Sequence, residues 1–138
     1  MFNFLFKMSR KNGVINAFFK KLYSCDIPRE VKFKNGKCSF PHKALGVVIH
    51  PNSIIGENVC IQHHVLLGQR IGSSAPIIEN NVIINPYSII IGEVTIGENS
   101  IIGAGSLITK NVPANSIYYN KVTPIIKDLN PNEREKKL

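Results

Sequence analysis

From residue 49 an aliphatic side chain returns at every sixth position: Ile49, Ile55, Ile61 and Leu67, then, after an interruption, Ile78, Ile84, Ile90, Ile96, Ile102 and Ile108. Four residues after each stands a small or β-branched residue (Ser53, Val59, Val65, Val82, Ser88, Val94, Ser100, Ser106, Val112), with Ile71 the bulky exception. A helix would space its apolar positions by three and four, and a strand would alternate them by two. A period of six fits a short strand, a corner and a repeat, three such sides closing one coil of a triangular prism. The aliphatic then points inward and stacks on its counterpart a coil away, and the small residue occupies a crowded site near the corner. Gly56, Gly68, Asn85, Gly97 and Gly103 follow the aliphatic directly and are expected to supply positive φ at the corners. About four coils share one core, because each strand pairs with the coil above and below it.

A second apolar column precedes the first: Ile54, Leu66, Ile77, Ile83, Ile89, Ile101 and Leu107. Neighbouring strand residues face opposite ways, so this column points outward. An exposed strip of that size predicts association about a threefold axis, the alternative being cover by the chain's own N-terminal segment. Residues 11–23 place Val14, Ile15, Phe18, Phe19 and Leu22 at roughly helical spacing, as a helix against the prism would. Pro113 is expected to end the repeat. The organisation is thus a helical, basic segment (1–25), the coil (26–113) and a C-terminal extension with a polar tail (114–138).

The 138 residues carry a net charge of +8, with ten Lys/Arg against two Asp/Glu in residues 1–50 and two against four in residues 51–110. The excess belongs to the N-terminal part, which has no nucleic-acid-binding signature. It reads first as a solvated helix face, and is also compatible with peripheral contact to an anionic membrane. The run MFNFLFKM is too short for a span and lacks the flanks of an export signal. Cys25, Cys38 and Cys60 have neither disulfide nor zinc spacing, which favours a reducing cytoplasm.

The hexads resemble those of hexapeptide-repeat acyltransferases. The strings PHKALGVVIHPNSIIGENVCIQHHVLLGQ (41–69) and APIIENNVIINPYSIIIGEVTIGENSIIGAGSLITKNVP (75–113) are similar to bacterial serine acetyltransferases and their short polysaccharide-modifying relatives, over residues 26 to 127. The resemblance implies an all-β, left-handed parallel β-helix, a homotrimer, and acetyl transfer from acetyl-CoA, a co-substrate, to a hydroxyl without a metal. It implies that His42 is the general base, with Asp26, one residue out of the family spacing, orienting it. His63 and His64 are implied as neighbours in the same cleft, or as corner residues bonded to backbone or water; His50 is read as structural. Gly103, Ala104, Gly105 and Ser106 resemble the strip along which the pantetheine arm lies. Thr109, Lys110 and Lys127 match positions near the nucleotide end.

Two departures bear on the acceptor. Where serine acetyltransferases carry an Arg-His pair that helps hold a carboxylate, this chain has Ser74 and Ala75. Pro41 stands where they have an aspartate that helps hold an amino group. A sugar hydroxyl is therefore favoured over serine, with serine O-acetylation and a non-catalytic β-helix scaffold as alternatives; only about 25 residues precede the repeat, where serine acetyltransferases carry a long helical domain. Val122 replaces the proline usual after the last coils, and residues 69–76 form a loop expected beside the groove.

Overall fold

The computed structural model describes residues 1–35 and 38–121. Lys127 lies outside the described residues. Helices α1 (Phe2–Ser9) and α2 (Gly13–Tyr23) precede twelve short strands that stack in three parallel sheets. Sheet A holds β2 (Val48–Ile49), β5 (Leu66–Gly68), β8 (Ile89–Ile91) and β11 (Leu107–Ile108). Sheet B holds β1 (Lys32–Phe33), β3 (Ile54–Ile55), β6 (Ile77–Ile78) and β9 (Thr95–Ile96), and sheet C holds β4 (Cys60–Ile61), β7 (Ile83–Ile84), β10 (Ile101–Ile102) and β12 (Ile117–Tyr118). The chain visits the sheets in turn, so sequence neighbours lie on different sides and pairing partners lie a coil apart. Isolated bridges Asp26↔Val48, Ser39↔Cys60 and Ile96↔Val112 add one rung to each sheet among the described residues.

Each hexad aliphatic is buried, Ile49 through Ile108 being at most 1% exposed, and pairs in register with its counterpart: Ile55 with Ile78, Ile61 with Ile84, Leu67 with Ile90. The small residues Ser53, Val59, Val65, Val82, Ser88 and Ser100 are buried too. Ser100 Oγ donates to Pro113 O at 2.9 Å, which satisfies a hydroxyl inside an otherwise apolar column. The outward column is exposed or half-buried as expected. Ile71 is fully exposed, because the loop 69–76 takes it out of the repeat.

The corners correct one expectation. Positive φ falls three residues after the aliphatic, at Asn58, His64, Asn81, Tyr87, Asn99 and Gly105, and not at the Gly and Asn that follow it directly. Gly56 and Gly97 answer a different need. A Cβ on Gly56 would lie 2.6 Å from the Glu79 carbonyl carbon, and one on Gly97 would lie 2.3 Å from Ala114 N. Between sheets B and C the corners form a ladder: Asn58 Nδ2 donates to Asn81 Oδ1 (3.3 Å), Asn81 to Asn99 (3.0 Å) and Asn99 to Asn115 (2.9 Å). Asparagine suits this place because it tolerates the left-handed region and can hydrogen-bond locally.

The ends also differ from expectation. The ladder continues past Pro113 to β12. The apolar run near the start of the chain is helix α1, antiparallel to α2, and the two bury Phe2, Phe6, Phe19 and Tyr23 against Phe33 and Phe40 of the first coil. The inner face of α2 is Asn16, Phe19 and Tyr23, where Asn16 Nδ2 donates to Ile27 O at 3.1 Å. Val14, Phe18 and Leu22, expected to pack inward, consequently point to solvent. Asn12 caps α2, its side chain accepting from Val14 N at 2.9 Å.

Ile90 is in the middle of the stack and fully buried. Ile90→Ala is expected to lower unfolding free energy by about 2–5 kcal/mol in urea titration, since the rungs on either side hold the cavity open.

Candidate active site

The corner between sheets C and A is built differently from the asparagine corner. Its rungs are His42–Lys43, His63–His64, Pro86–Tyr87 and Ala104–Gly105. In the turn Pro41–Ala44 three successive non-glycine residues take positive φ, His42 (54°), Lys43 (55°) and Ala44 (60°). His64 (56°) and Tyr87 (61°) do so in the next rungs. Each costs roughly 1–2 kcal/mol relative to ordinary backbone. A bulky ring is a poor choice for a corner, and strain held in place by the surrounding coil is a mark of functional sites.

The strain gathers four rings. His42 and His63 lie 4.9 Å apart between centroids at 80°, and His63 contacts His64 (5.6 Å) and Tyr87 (5.5 Å) edge-on. His64 stacks on Tyr87 at 4.9 Å and 8°. The other side of His64 rests on Gly46, where an added Cβ would fall 2.1 Å from Nδ1. His63 Nδ1 is buried and has no hydrogen-bond partner among the described residues. His42 is exposed and lines a cavity of about 200 Å³ with Leu22, Tyr23, Ser24, Lys43 and Leu45.

The other expected residues fall in several places. Asp26 forms a rung of sheet A, but its carboxylate pairs with Lys20 Nζ at 2.5 Å and makes no hydrogen bond to His42. His50 Nδ1 accepts from Asn52 N at 3.2 Å, a corner role. Ala104 and Gly105 share the histidine corner, and no atom would meet a Cβ on Gly105 within 4 Å. Gly103 donates to Tyr118 O at 2.7 Å and is closely approached by Tyr119, so its backbone is committed to the last coil. The Ser106 side chain points into the prism, 1% exposed. Thr109 and Lys110 are exposed at the corner between sheets A and B, across β11 from Gly105, on the same side of the prism as the loop 69–76. Ser74 is exposed and Ala75 buried.

Sequence reasoning missed Tyr87, Gly46, Leu22 and Leu45. Tyr87 was accessible: it stands three residues after Ile84, as His64 stands three after Ile61, so the register alone stacks one on the other.

The thiols are poor nucleophiles. Burial, with a smaller contribution from Asp26, pushes Cys25 up to about 11, and burial also raises Cys38 and Cys60. Among the described residues, no three His, Cys, Asp or Glu converge as metal ligands, and no helix is long and apolar enough to cross a membrane.

Residues 75–110 match the family described as Bacterial transferase hexapeptide (six repeats). That stretch carries the transferase hexapeptide repeat. The chain is 37% identical over 95 residues to galactoside O-acetyltransferase of Escherichia coli, covering 64% of this chain and 47% of the relative. It is 35% identical over 82 residues to serine acetyltransferase of Synechococcus elongatus, covering 57% and 34%. Among solved structures it resembles serine acetyltransferase of Brucella abortus in complex with coenzyme A (28% identity, TM-score 0.69, 86% of this chain and 50% of that one). It also resembles serine acetyltransferase of Neisseria gonorrhoeae in complex with serine (29%, TM-score 0.69, 74% and 42%). The chain spans about a third to a half of the length of these curated relatives.

Gly46→Ala is expected to displace the His64 ring, visible as a changed His64 imidazole resonance, because the position combines a φ of 66° with the 2.1 Å approach. Cys25 should react with a disulfide reagent at pH 7.5 roughly a hundredfold more slowly than an unperturbed thiol, following its lower thiolate fraction; rapid labelling of Cys25 would contradict its burial.

Proposed function

We propose that this chain is an acetyl-CoA-dependent O-acetyltransferase on a left-handed β-helix, seated in residues 26–113 with the segments 1–25 and 114–138 flanking it, and that His42 is its general base. The observation that carries this is the strained turn Pro41–Ala44, which holds His42 exposed beside His63 at the rim of a cavity. An acceptor hydroxyl is a weak nucleophile until a base takes its proton. His42 removes that proton as the oxygen attacks the thioester carbonyl; the carbon–sulfur bond then breaks and the proton passes from the imidazolium to the departing thiolate. The raised thiol pKa values leave the cysteines protonated, consistent with direct transfer rather than a thioester on the enzyme. His63 and His64, gathered beside His42 at the same corner, bind the acceptor. Asp26, now paired with Lys20, orients His42 only if that pair opens on binding.

The family match and the complex of the B. abortus relative with coenzyme A support the cofactor and the hand of the coil. Ala104 and Gly105 leave a flat exposed strip for the pantetheine arm, with Gly103 and Ser106 keeping it narrow, and Thr109, Lys110 and Lys127 meet the nucleotide end. Within one chain the histidine corner and the Thr109–Lys110 corner bound opposite edges of sheet A, whose outer face is Val48, Leu66, Ile89 and Leu107. Packing this aliphatic face about a threefold axis makes a homotrimer and sets the histidines of one copy beside the Thr109–Lys110 corner of the next. The protein works in the cytoplasm, where acetyl-CoA is made.

The acceptor we favour is a sugar hydroxyl, because Ser74, Ala75 and Pro41 offer no charge to a free amino acid. Serine is the second reading: several structural neighbours are serine acetyltransferases, and Lys43 in the His42 cavity is a cation able to meet a carboxylate.

Thiol release from acetyl-CoA with a panel of sugars and with serine tests the reading. Turnover with a sugar and little with serine is expected, and His42→Ala should lower kcat about 10²–10⁴-fold. Unchanged turnover would remove His42 from its role. Coenzyme A at a hundred times its Kd should stabilise the fold by about 2.7 kcal/mol; no shift in Tm would favour a scaffold.

A further inference from the structure

The α1–α2 pair packs its inner aromatic face on the prism and leaves its outer face apolar. Phe2, Phe6, Phe19 and Tyr23 are packed on the prism, whereas Phe4 and Met8 of α1, and Val14, Phe18 and Leu22 of α2, face solvent. Val14 is 80% exposed and Phe18 60%. On α2 these side chains recur every fourth residue, so they form one stripe along the helix. Such a stripe on a helix already anchored by its opposite face is not needed for the fold.

The charge around the stripe identifies its occupant. Residues 1–25 contain Lys7, Arg10, Lys11, Lys20 and Lys21 and no acidic residue. Arg10 is spent on the carbonyls of Pro28, Arg29 and Val31, and Lys20 on Asp26. Lys7 on α1, Lys21 on α2 and Lys11 in the turn between the two helices remain exposed. Two copies of this face would oppose lysine to lysine. Nucleic acid would take the lysines and leave the phenylalanines in water. A lipid surface of negative charge accepts both, headgroups meeting the lysines and acyl chains the aromatic and aliphatic side chains.

We propose that the outer face of α1 and α2 is a docking surface for an anionic bilayer. Leu22 ends the stripe and also lines the cavity that holds His42 and Leu45, so docking brings that cavity to the lipid surface. The acceptor is then a hydroxyl on a lipid-anchored glycan, a consequence that rests on the acetyl transfer proposed for His42.

The full chain is to be sedimented with vesicles of phosphatidylcholine alone and of phosphatidylcholine mixed in equal parts with phosphatidylglycerol. The expected result is binding about tenfold tighter to the mixed vesicles, weakening as salt rises. The double variant Val14→Ser, Phe18→Ser, whose circular dichroism should match the parent because both side chains are exposed, should lose that binding. Absence of binding, equal binding to both vesicles, or full binding by the double variant overturns the proposal. So does a change in sedimentation coefficient of the free variant, which would make the face a contact between copies. Acetylation of a vesicle-borne glycolipid should fall in the variant while acetylation of a soluble sugar persists; loss of both in the parent protein would strike the enzymatic reading and leave the binding result standing.

Discussion

The structure depends on the vertical stacking of one aliphatic side chain per side per coil. No coil has a core of its own: a strand of two residues gains stability only when Ile61 rests on Ile84 and Ile84 on Ile102, while the backbone pairs along the same axis. Because that stack repeats at fixed height, every residue at a given hexad position stands above its counterpart. The site inherits this arithmetic. His42, His63 and Tyr87 are neighbours because they occupy successive rungs of one corner, although they are scattered through the chain.

Two of the corners show how one scaffold separates stability from chemistry. Between sheets B and C the left-handed position is asparagine in each of Asn58, Asn81, Asn99 and Asn115, and the side chains link rung to rung. Between sheets C and A the same position holds His64, Tyr87 and Gly105, and the turn below it adds His42, Lys43 and Ala44. The first corner uses the residue best suited to its backbone. The second departs from that choice and gains a cluster of titratable rings, held in place because the prism on either side cannot yield.

The added helices act as a cover whose inner aromatic face closes the first coil against water. They also form one wall of the His42 cavity through Leu22 and Tyr23. The element that protects the end of the stack thus also shapes the space around the base, and its outer face gives the molecule a surface unlike the rest, apolar and basic together.

The period of six determined the prism, its inward and outward columns and the place of the interruption, because hydrophobic stacking needs no information beyond spacing. It also set the pair His63–His64 between Ile61 and Val65, and the register could have placed Tyr87, whereas His42 precedes the first hexad and was marked by the family resemblance alone. Other features were decided only in three dimensions. The rotation of α2, which buries Asn16 and exposes Phe18, follows from aromatic packing with α1 and a hydrogen bond to Ile27, partners that helical spacing does not see. Gly56 and Gly97 answer close approach between coils rather than positive φ, which depends on the distance to a neighbouring rung. Asp26 is met by Lys20 because the end of α2 returns over the first rung, and a local motif carries no record of which opposite charge the fold will bring nearest.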